Sequence, residues 1–292
     1  AHGAARPHAP GGPAVTAIRR AANEPATLRI GVDVGGTTIK AALVDLRDGH
    51  TLHRALVPTE AGRGRKHSLM RLKQALLAVS RPPGGSRARQ SPIGVALAEL
   101  VDLGGRIASH ATLGWRTADV HRATASFGRA ILQSDVHAAA LAEARYGAGR
   151  RYAHFLYVTV GTGISCALVS EGEVYRGAHG HALAFASGPT AGPRRDQALE
   201  DRSSGAALRR RAHDRGIGAA DPVELLAIAA RGSSLAHELL QDATQELAQH
   251  IGVLVNALDP QAVVMGGGLG SAPGPYFEAL REIGPVTLLP AH

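Results

Sequence analysis

A chain of 292 residues, 45% hydrophobic and 19% charged, is too apolar to stay disordered and long enough for one large domain or two medium ones. Aromatic residues make up only 3%, so Val, Leu, Ile and Ala must fill the core, as they do in buried parallel strands covered by helices. Lys and Arg number 32 against 24 Asp and Glu, a balance of +8. The basic residues are scattered, with short clusters at 63–66, 150–151 and 209–211 and no aromatics between them, which argues for a solvated surface and against a nucleic-acid partner.

In chain order, the first 27 residues are rich in Ala, Pro, Gly, Arg and His without an apolar stretch, and read as a disordered leader. Residues 28–34 form an apolar strand running into Gly35-Gly36, 39–45 a second strand and 51–57 a third, antiparallel one, with Asp48-Gly49 as a turn. Helical spacing predicts a helix over 68–79, the basic Pro/Gly stretch 81–90 a loop, and 93–101 a buried strand. Residues 118–128 read as helix, 130–134 as a short strand meeting Asp135, and 138–146 as a helix closed by Gly147 and Gly149. A strand over 155–160 stops at Gly161-Thr162-Gly163, and 165–170 is its hairpin partner.

Cys166 lies in that apolar run. As the chain's single cysteine it excludes an intramolecular disulfide and a multi-cysteine zinc site, reads as a small buried hydrophobe, and points to a reducing, cytoplasmic compartment. Residues 177–193 are irregular, whereas 205–213, 222–230 and 233–256 are helical. Asp259-Pro260 breaks the chain before a strand at 262–265 that enters Gly266-Gly267-Gly268. No run of about 18 apolar residues occurs, so no membrane span is expected. The device of strand, Gly/Thr turn and antiparallel strand thus appears twice, at 30–44 and at 156–169. Two copies of a βββαβ unit predict two α/β lobes facing a cleft, over 28–132 and 133–292.

The first turn, Asp33-Val34-Gly35-Gly36-Thr37-Thr38-Ile39-Lys40, has the makings of an anion cradle. Glycines let the backbone approach closely, and Thr hydroxyls and successive N–H groups donate to phosphate oxygens. Asp33 at the strand end can hold, through water, the magnesium that accompanies ATP. An ordinary hairpin explains the same residues, and the P-loop spacing is absent. Gly161, Thr162 and Gly163 offer a second cradle that gains its value from the first, because two opposed cradles can clamp one triphosphate. Asp135 at a strand–helix junction is either a helix cap or the carboxylate that takes a proton from an attacking hydroxyl. Gly266, Gly267 and Gly268 give a flat surface for an adenine face, or only a turn.

Together these segments resemble the ROK family of bacterial sugar kinases and related repressors, over about 28–269. Residues 33–45 resemble its first phosphate motif, 93–115 with Leu100-Val101-Asp102 and Leu113-Gly114-Trp115 the next block, and 133–149 the segment carrying the catalytic aspartate, here Asp135. Residues 157–164 resemble the second phosphate motif, and 256–268 the adenosine motif. The resemblance implies an actin-like ATPase (ribonuclease H-like) fold, two lobes each with a mixed β-sheet flanked by helices. It implies ATP and Mg2+ as cofactors, transfer of the γ-phosphate to a hexose-type hydroxyl, and a homodimer.

The departures fall on the sugar side. The family's Asn before the catalytic Asp is Ser134, and its Pro-Gly is Ala98-Glu99. Its Glu-x-Gly-His stretch falls on Ala184 and Ser187, unless a loop shift brings His179 or His181 into the role. The cysteine-rich zinc segment should lie in 188–199, which has no cysteine, so no zinc site is expected; its closing glutamate survives as Glu200. The family usually continues into a further C-terminal helix that packs back on the first lobe; the sequence stops at Leu289-Pro290-Ala291-His292, so either the chain is trimmed or that helix is expected to be missing. Retained phosphate motifs with a re-lined pocket imply the same chemistry on a different acceptor, because a pocket built for one hydroxyl pattern rejects others. An amino sugar or C7-type cyclitol fits better than glucose, held by Ser134, Asp135, Glu200, His181 and Glu99, the last able to meet an ammonium. Plain glucokinase activity and a sugar-responsive regulator or pseudokinase are the alternatives.

Overall fold

The computed structural model describes residues 27–80, 92–187, 198–281 and 287–291. Most of the expected leader, the 81–90 loop and most of the expected zinc segment therefore lie outside the described residues. Two five-stranded sheets organise the chain. The first contains β1 (Leu28–Val34), β2 (Thr38–Asp45), β3 (Thr51–Pro58), β4 (Ile93–Leu97) and β5 (Ala130–Ser134), in the order β3-β2-β1-β4-β5. The second contains β6 (His154–Val160), β7 (Ile164–Ser170), β8 (Glu173–Val174), β9 (Ala262–Gly266) and β10 (Thr287–Pro290), in the order β10-β9-β6-β7-β8.

The two orders are the same pattern. In each sheet the first strand pairs antiparallel with the second and parallel with the fourth, which lies parallel to the fifth. The duplicated hairpin of the sequence is thus one part of a duplicated topology. In a parallel sheet, side chains at strand ends converge on one edge. Asp33, Ala98 and Asp135 are brought together in this way, because Val34 stands beside Leu97 and Leu97 beside Ser134.

One face of the first sheet, with Ile30, Val32, Leu43 and Val95, packs on α1 (Arg65–Val79) and α2 (Thr117–Thr124) through Leu72, Leu76 and Val120. The opposite face carries Gly31 and Gly94 beside the exposed Leu56 and Ile131. The second sheet is buried on both faces, which explains its unbroken apolar strands. Leu156, Val158, Val263 and Met265 face a core with α5 (Gly205–Asp214), α6 (Pro222–Ala230), α7 (Ser234–Leu258) and α8 (Pro275–Leu280). Phe155, Tyr157 and Val264 face α3 (Asp135–Tyr146). Cys166 is buried in the first of these cores, and burial pushes its thiol up to about 12, so it stays protonated and inert.

The structure shifts several boundaries. The strand expected to reach residue 101 ends at Leu97, and Val101 instead forms a bridge with Ile107. The helix expected from residue 138 begins at Asp135. β10 was not expected at all; it owes its strand to pairing with β9, a partner remote from its local sequence.

Candidate active site

The strand ends of the two sheets open on one cavity of 740 Å³, a size suited to small-molecule ligands. Asp33, Gly35, Gly36, Thr37, Thr38 and Lys40 line one side, and Gly161, Thr162 and Gly163 line the other. Ser134, Asp135, Glu99, His181 and Glu200 lie in the same cavity. All three glycines of 266–268 are absent from its lining.

The first turn closes with the Gly35 N–H donating to Thr38 O at 3.0 Å. It is braced by Thr59, whose hydroxyl donates to Gly35 O at 2.7 Å and whose N–H donates to Thr37 O at 2.8 Å. A Cβ on Gly36 would stand 2.8 Å from the Thr112 methyl, so the 109–113 segment sits close on the turn where glycine leaves it room. Lys40 and Asp33 face each other across the hairpin and pair at 3.3 Å. The second turn closes with Gly161 N–H donating to Gly163 O at 2.9 Å. The start of α5 docks beneath it, the N–H groups of Gly205 and Ala206 donating to Gly161 O and Thr162 O at 2.8 and 3.2 Å.

Asp135 is the first residue of α3, and Ser134 is the N-cap without a side-chain capping bond. The capping alternative for Asp135 therefore does not hold; its carboxylate accepts from the adjacent Val136 N–H at 2.8 Å. Burial pushes this carboxyl up to about 6; the charges of Asp33 and Glu99 add to the effect, and the Val136 N–H opposes it. The neighbouring Ser134 hydroxyl is buried without a partner, and so is His181 Nε2. Two buried polar atoms beside the cavity thus lack partners that a polar ligand group would supply.

Other predicted residues have revised uses. Glu99 is buried, and its two oxygens accept from the N–H groups of Leu113, Thr112 and Ala111 at 2.7, 2.9 and 3.1 Å and from the Ser109 hydroxyl. A carboxylate has about four acceptor sites, so none is left for an ammonium. Burial alone would raise this carboxyl, but the four hydrogen bonds outweigh it and hold it below the usual range. Gly266 and Gly267 are closely packed, so that a Cβ would lie 2.1 Å from the Tyr157 hydroxyl at the first and 2.4 Å from Val160 O at the second. Only Gly268 is exposed. Glu200 opens α4 (Glu200–Ser203) and reaches under Gly163, where a Cβ would be 2.0 Å from its Oε1. Burial raises its carboxyl, opposed by the Ile164 N–H and aided by Asp201. Ala184 faces the cavity and His179 is exposed outside it.

Sequence reasoning missed Thr59, Ser109, Thr112 and His137. Burial pushes the His137 imidazole down, with the Arg176 charge and His181 adding, so it stands neutral beside Ser134 and Asp135. Its signal was available, two residues past a strand-end aspartate; Thr59, Ser109 and Thr112 carried none, because their partners are remote in sequence.

The cradles suit a nucleotide with magnesium. Their glycines present backbone N–H groups with no side chain in the way, and Asp33 offers one carboxylate, which is the usual protein share of a magnesium shell. Among the described residues, no group of three or more His, Cys, Asp or Glu side chains is placed to cage a metal by itself.

Residues 29–289 match the ROK family. The chain belongs to the ROK family. Among curated relatives, the bifunctional enzyme NanE/NanK of Brucella melitensis is 31% identical over 274 residues, covering 89% of this chain and 49% of that protein. The chain thus spans about half the length of that relative. The glucokinase of Thermotoga maritima is 26% identical, covering 87% of this chain and 86% of that protein. Among solved structures, the ROK hexokinase of Thermus thermophilus superposes with a TM-score of 0.70 at 29% identity, covering 91% of this chain and 93% of that one. The duplicated sheets are therefore those of the two-lobed actin-like ATPase fold of ROK kinases.

Proposed function

We propose that this ROK protein transfers the γ-phosphoryl group of ATP to a hydroxyl of a sugar or sugar-like polyol. The observation that carries the reading is Asp135: a half-buried carboxylate at a strand end, between two opposed glycine turns, titrating at about 6. Such a group is ionised at neutral pH yet basic enough to accept the proton of an attacking hydroxyl. Bound nucleotide with magnesium supplies the phosphoryl group and offsets its charge. Asp135 orients the hydroxyl and takes its proton, while Ser134 and His181 hydrogen-bond other hydroxyls of the acceptor. The N–H groups and hydroxyls of the two turns hold the phosphates, with Asp33 and Lys40 at the cavity rim. The exposed Gly268 is left as the contact toward adenine.

The names of the relatives, a glucokinase and an enzyme with a NanK part, support a carbohydrate acceptor. The re-lined pocket, with Ser134 in place of the family's Asn, Ala184 in place of its Glu and Ala98-Glu99 in place of its Pro-Gly, favours an amino sugar or C7 cyclitol over glucose. Since Glu99 is filled, an amino sugar would bind by its hydroxyls or an acylated nitrogen. Among the described residues no helix is long and apolar enough to cross a membrane, in keeping with a cytoplasmic enzyme, and a homodimer is the assembly we propose.

The test is a screen of ATP consumption over hexoses, amino sugars and cyclitols, with Asp135→Asn as the blank. The variant should lose roughly 10²–10⁴-fold in turnover and keep its nucleotide affinity. Undiminished turnover would remove Asp135 from the mechanism; preference for glucose would make the protein an ordinary glucokinase.

A further inference from the structure

Glu99 is an unusual occupant of an active-site edge. It sits two residues beyond β4, between the strands that deliver Asp33 and Asp135, and is only 6% exposed. Three successive backbone N–H groups, of Ala111, Thr112 and Leu113, converge on it together with the Ser109 hydroxyl. Consecutive N–H groups in a turn form an anion-binding concavity, and here an internal carboxylate fills it. The consequence lies across the cavity: the segment so gathered presses Thr112 against Gly36 of the first glycine turn. Ser109 is fixed a second time, because the Leu100 N–H donates to its hydroxyl at 2.8 Å.

We propose that Glu99 is a positioning residue for phosphoryl transfer, an internal anion that fixes the 109–113 segment as the wall seating Thr112 on the phosphate turn, and places a permanent negative charge in the cavity of Asp135. It touches neither acceptor nor phosphate. The step from anchor to chemistry rests on the reading of Asp135 as base. The other charged or titratable groups lining that cavity are Asp33 and Lys40 on β1 and β2, His137 on α3, Cys166 on β7, His181 in the loop after β8, and Glu200 and Asp201 on α4. Glu99 lies among them as a carboxylate that hydrogen bonds keep ionised.

The experiment compares wild type with Glu99→Gln, and with Ser109→Ala in case the first variant folds poorly. Amide hydrogen exchange at 111–113 should quicken on the order of tenfold or more in Glu99→Gln, and by less in Ser109→Ala, which keeps the three backbone bonds. In the same variant the acid limb of kcat/KM should move to lower pH, because removing a like charge lets Asp135 ionise more readily. A merely structural defect would lower kcat/KM without moving that limb. Unchanged exchange in both variants overturns the proposal. So does a loss confined to amino-sugar acceptors with exchange unchanged, which would make Glu99 an acceptor ligand. The exchange measurement needs no turnover, so it decides the anchor even if the Asp135→Asn test removes the assigned base.

Discussion

Asp135 carries two opposite demands, and both are measurable. Its pKa in the folded protein is about 6, above the 3.8 of the free side chain. The folded state therefore holds this proton more tightly than the unfolded chain does. The stability linked to that proton is fully present below the unfolded value and is lost as pH rises through the folded one, a cost of about 2 kcal/mol once partial screening is allowed for. Asp135→Asn removes the buried charge, so thermal unfolding should occur a few degrees higher in the variant at about pH 8 and coincide with wild type near about pH 4. Activity should run the other way, with kcat/KM in wild type falling tenfold per pH unit below about 6. A melting temperature unchanged by the substitution at alkaline pH would show that the carboxylate is not desolvated.

At the scale of elements, the second phosphate turn depends on helices that follow it by some forty residues. α5 begins under the turn, capped by Ser204, whose hydroxyl accepts from Ala207 N–H at 3.2 Å. A Cβ on Gly205 would lie 2.5 Å from Gly161 O, which is backbone and cannot swing aside. Gly205→Ala should cost about 1–3 kcal/mol in stability and raise the KM for nucleotide, whereas Gly218→Ala, where a Cβ meets open space, should change neither. Thermal melts and initial-rate kinetics check both. α4 is held in place from the far side: Arg202 is buried and pairs with Glu246 and, at 3.3 Å, with Asp242, both on α7, and Arg211 also pairs with Asp242. This fixes the turn from which Glu200 reaches under Gly163. Glu246→Ala would leave the buried Arg202 guanidinium with Asp242 alone and should destabilise the second lobe by roughly 1–3 kcal/mol, read by chemical denaturation.

At the scale of the whole molecule, the two sheets meet at the site and at a seam beside it. Arg176, from the second half, donates through Nη2 to Asp102 O of the first at 2.8 Å. A Cβ on Gly180 would stand 2.8 Å from Val101 O, so backbone rests on backbone there. The same loop carries His181 into the cavity. α3 ties the halves a second time, starting at Asp135 in the cavity and ending where the Tyr146 hydroxyl donates to Leu46 O at 2.8 Å. Closure of such lobes excludes water that would otherwise compete for the phosphoryl group. Arg176→Ala should therefore raise the acceptor KM about tenfold, the cost of one charged hydrogen bond, and raise acceptor-independent ATP hydrolysis. Equal effects on nucleotide and acceptor KM would place the seam outside acceptor binding.

The local pattern of the chain was enough to mark the repeated hairpins, the glycine turns and Asp135, because an apolar strand running into Gly-Gly-Thr-Thr or Gly-Thr-Gly declares itself within ten residues. Strand alternation and helical spacing are short-range properties, and so is the place where a strand stops. What Glu99 binds, which side chains press on Gly36 and Gly163, and that Gly266 and Gly267 pack inward were decided only in three dimensions. Those facts depend on partners such as Thr112, Glu200, Tyr157 and Val160, remote in sequence and brought near by packing within each half of the molecule. A carboxylate in the sequence shows its charge; whether that charge meets a ligand or four internal donors is settled by which backbone groups the fold turns toward it.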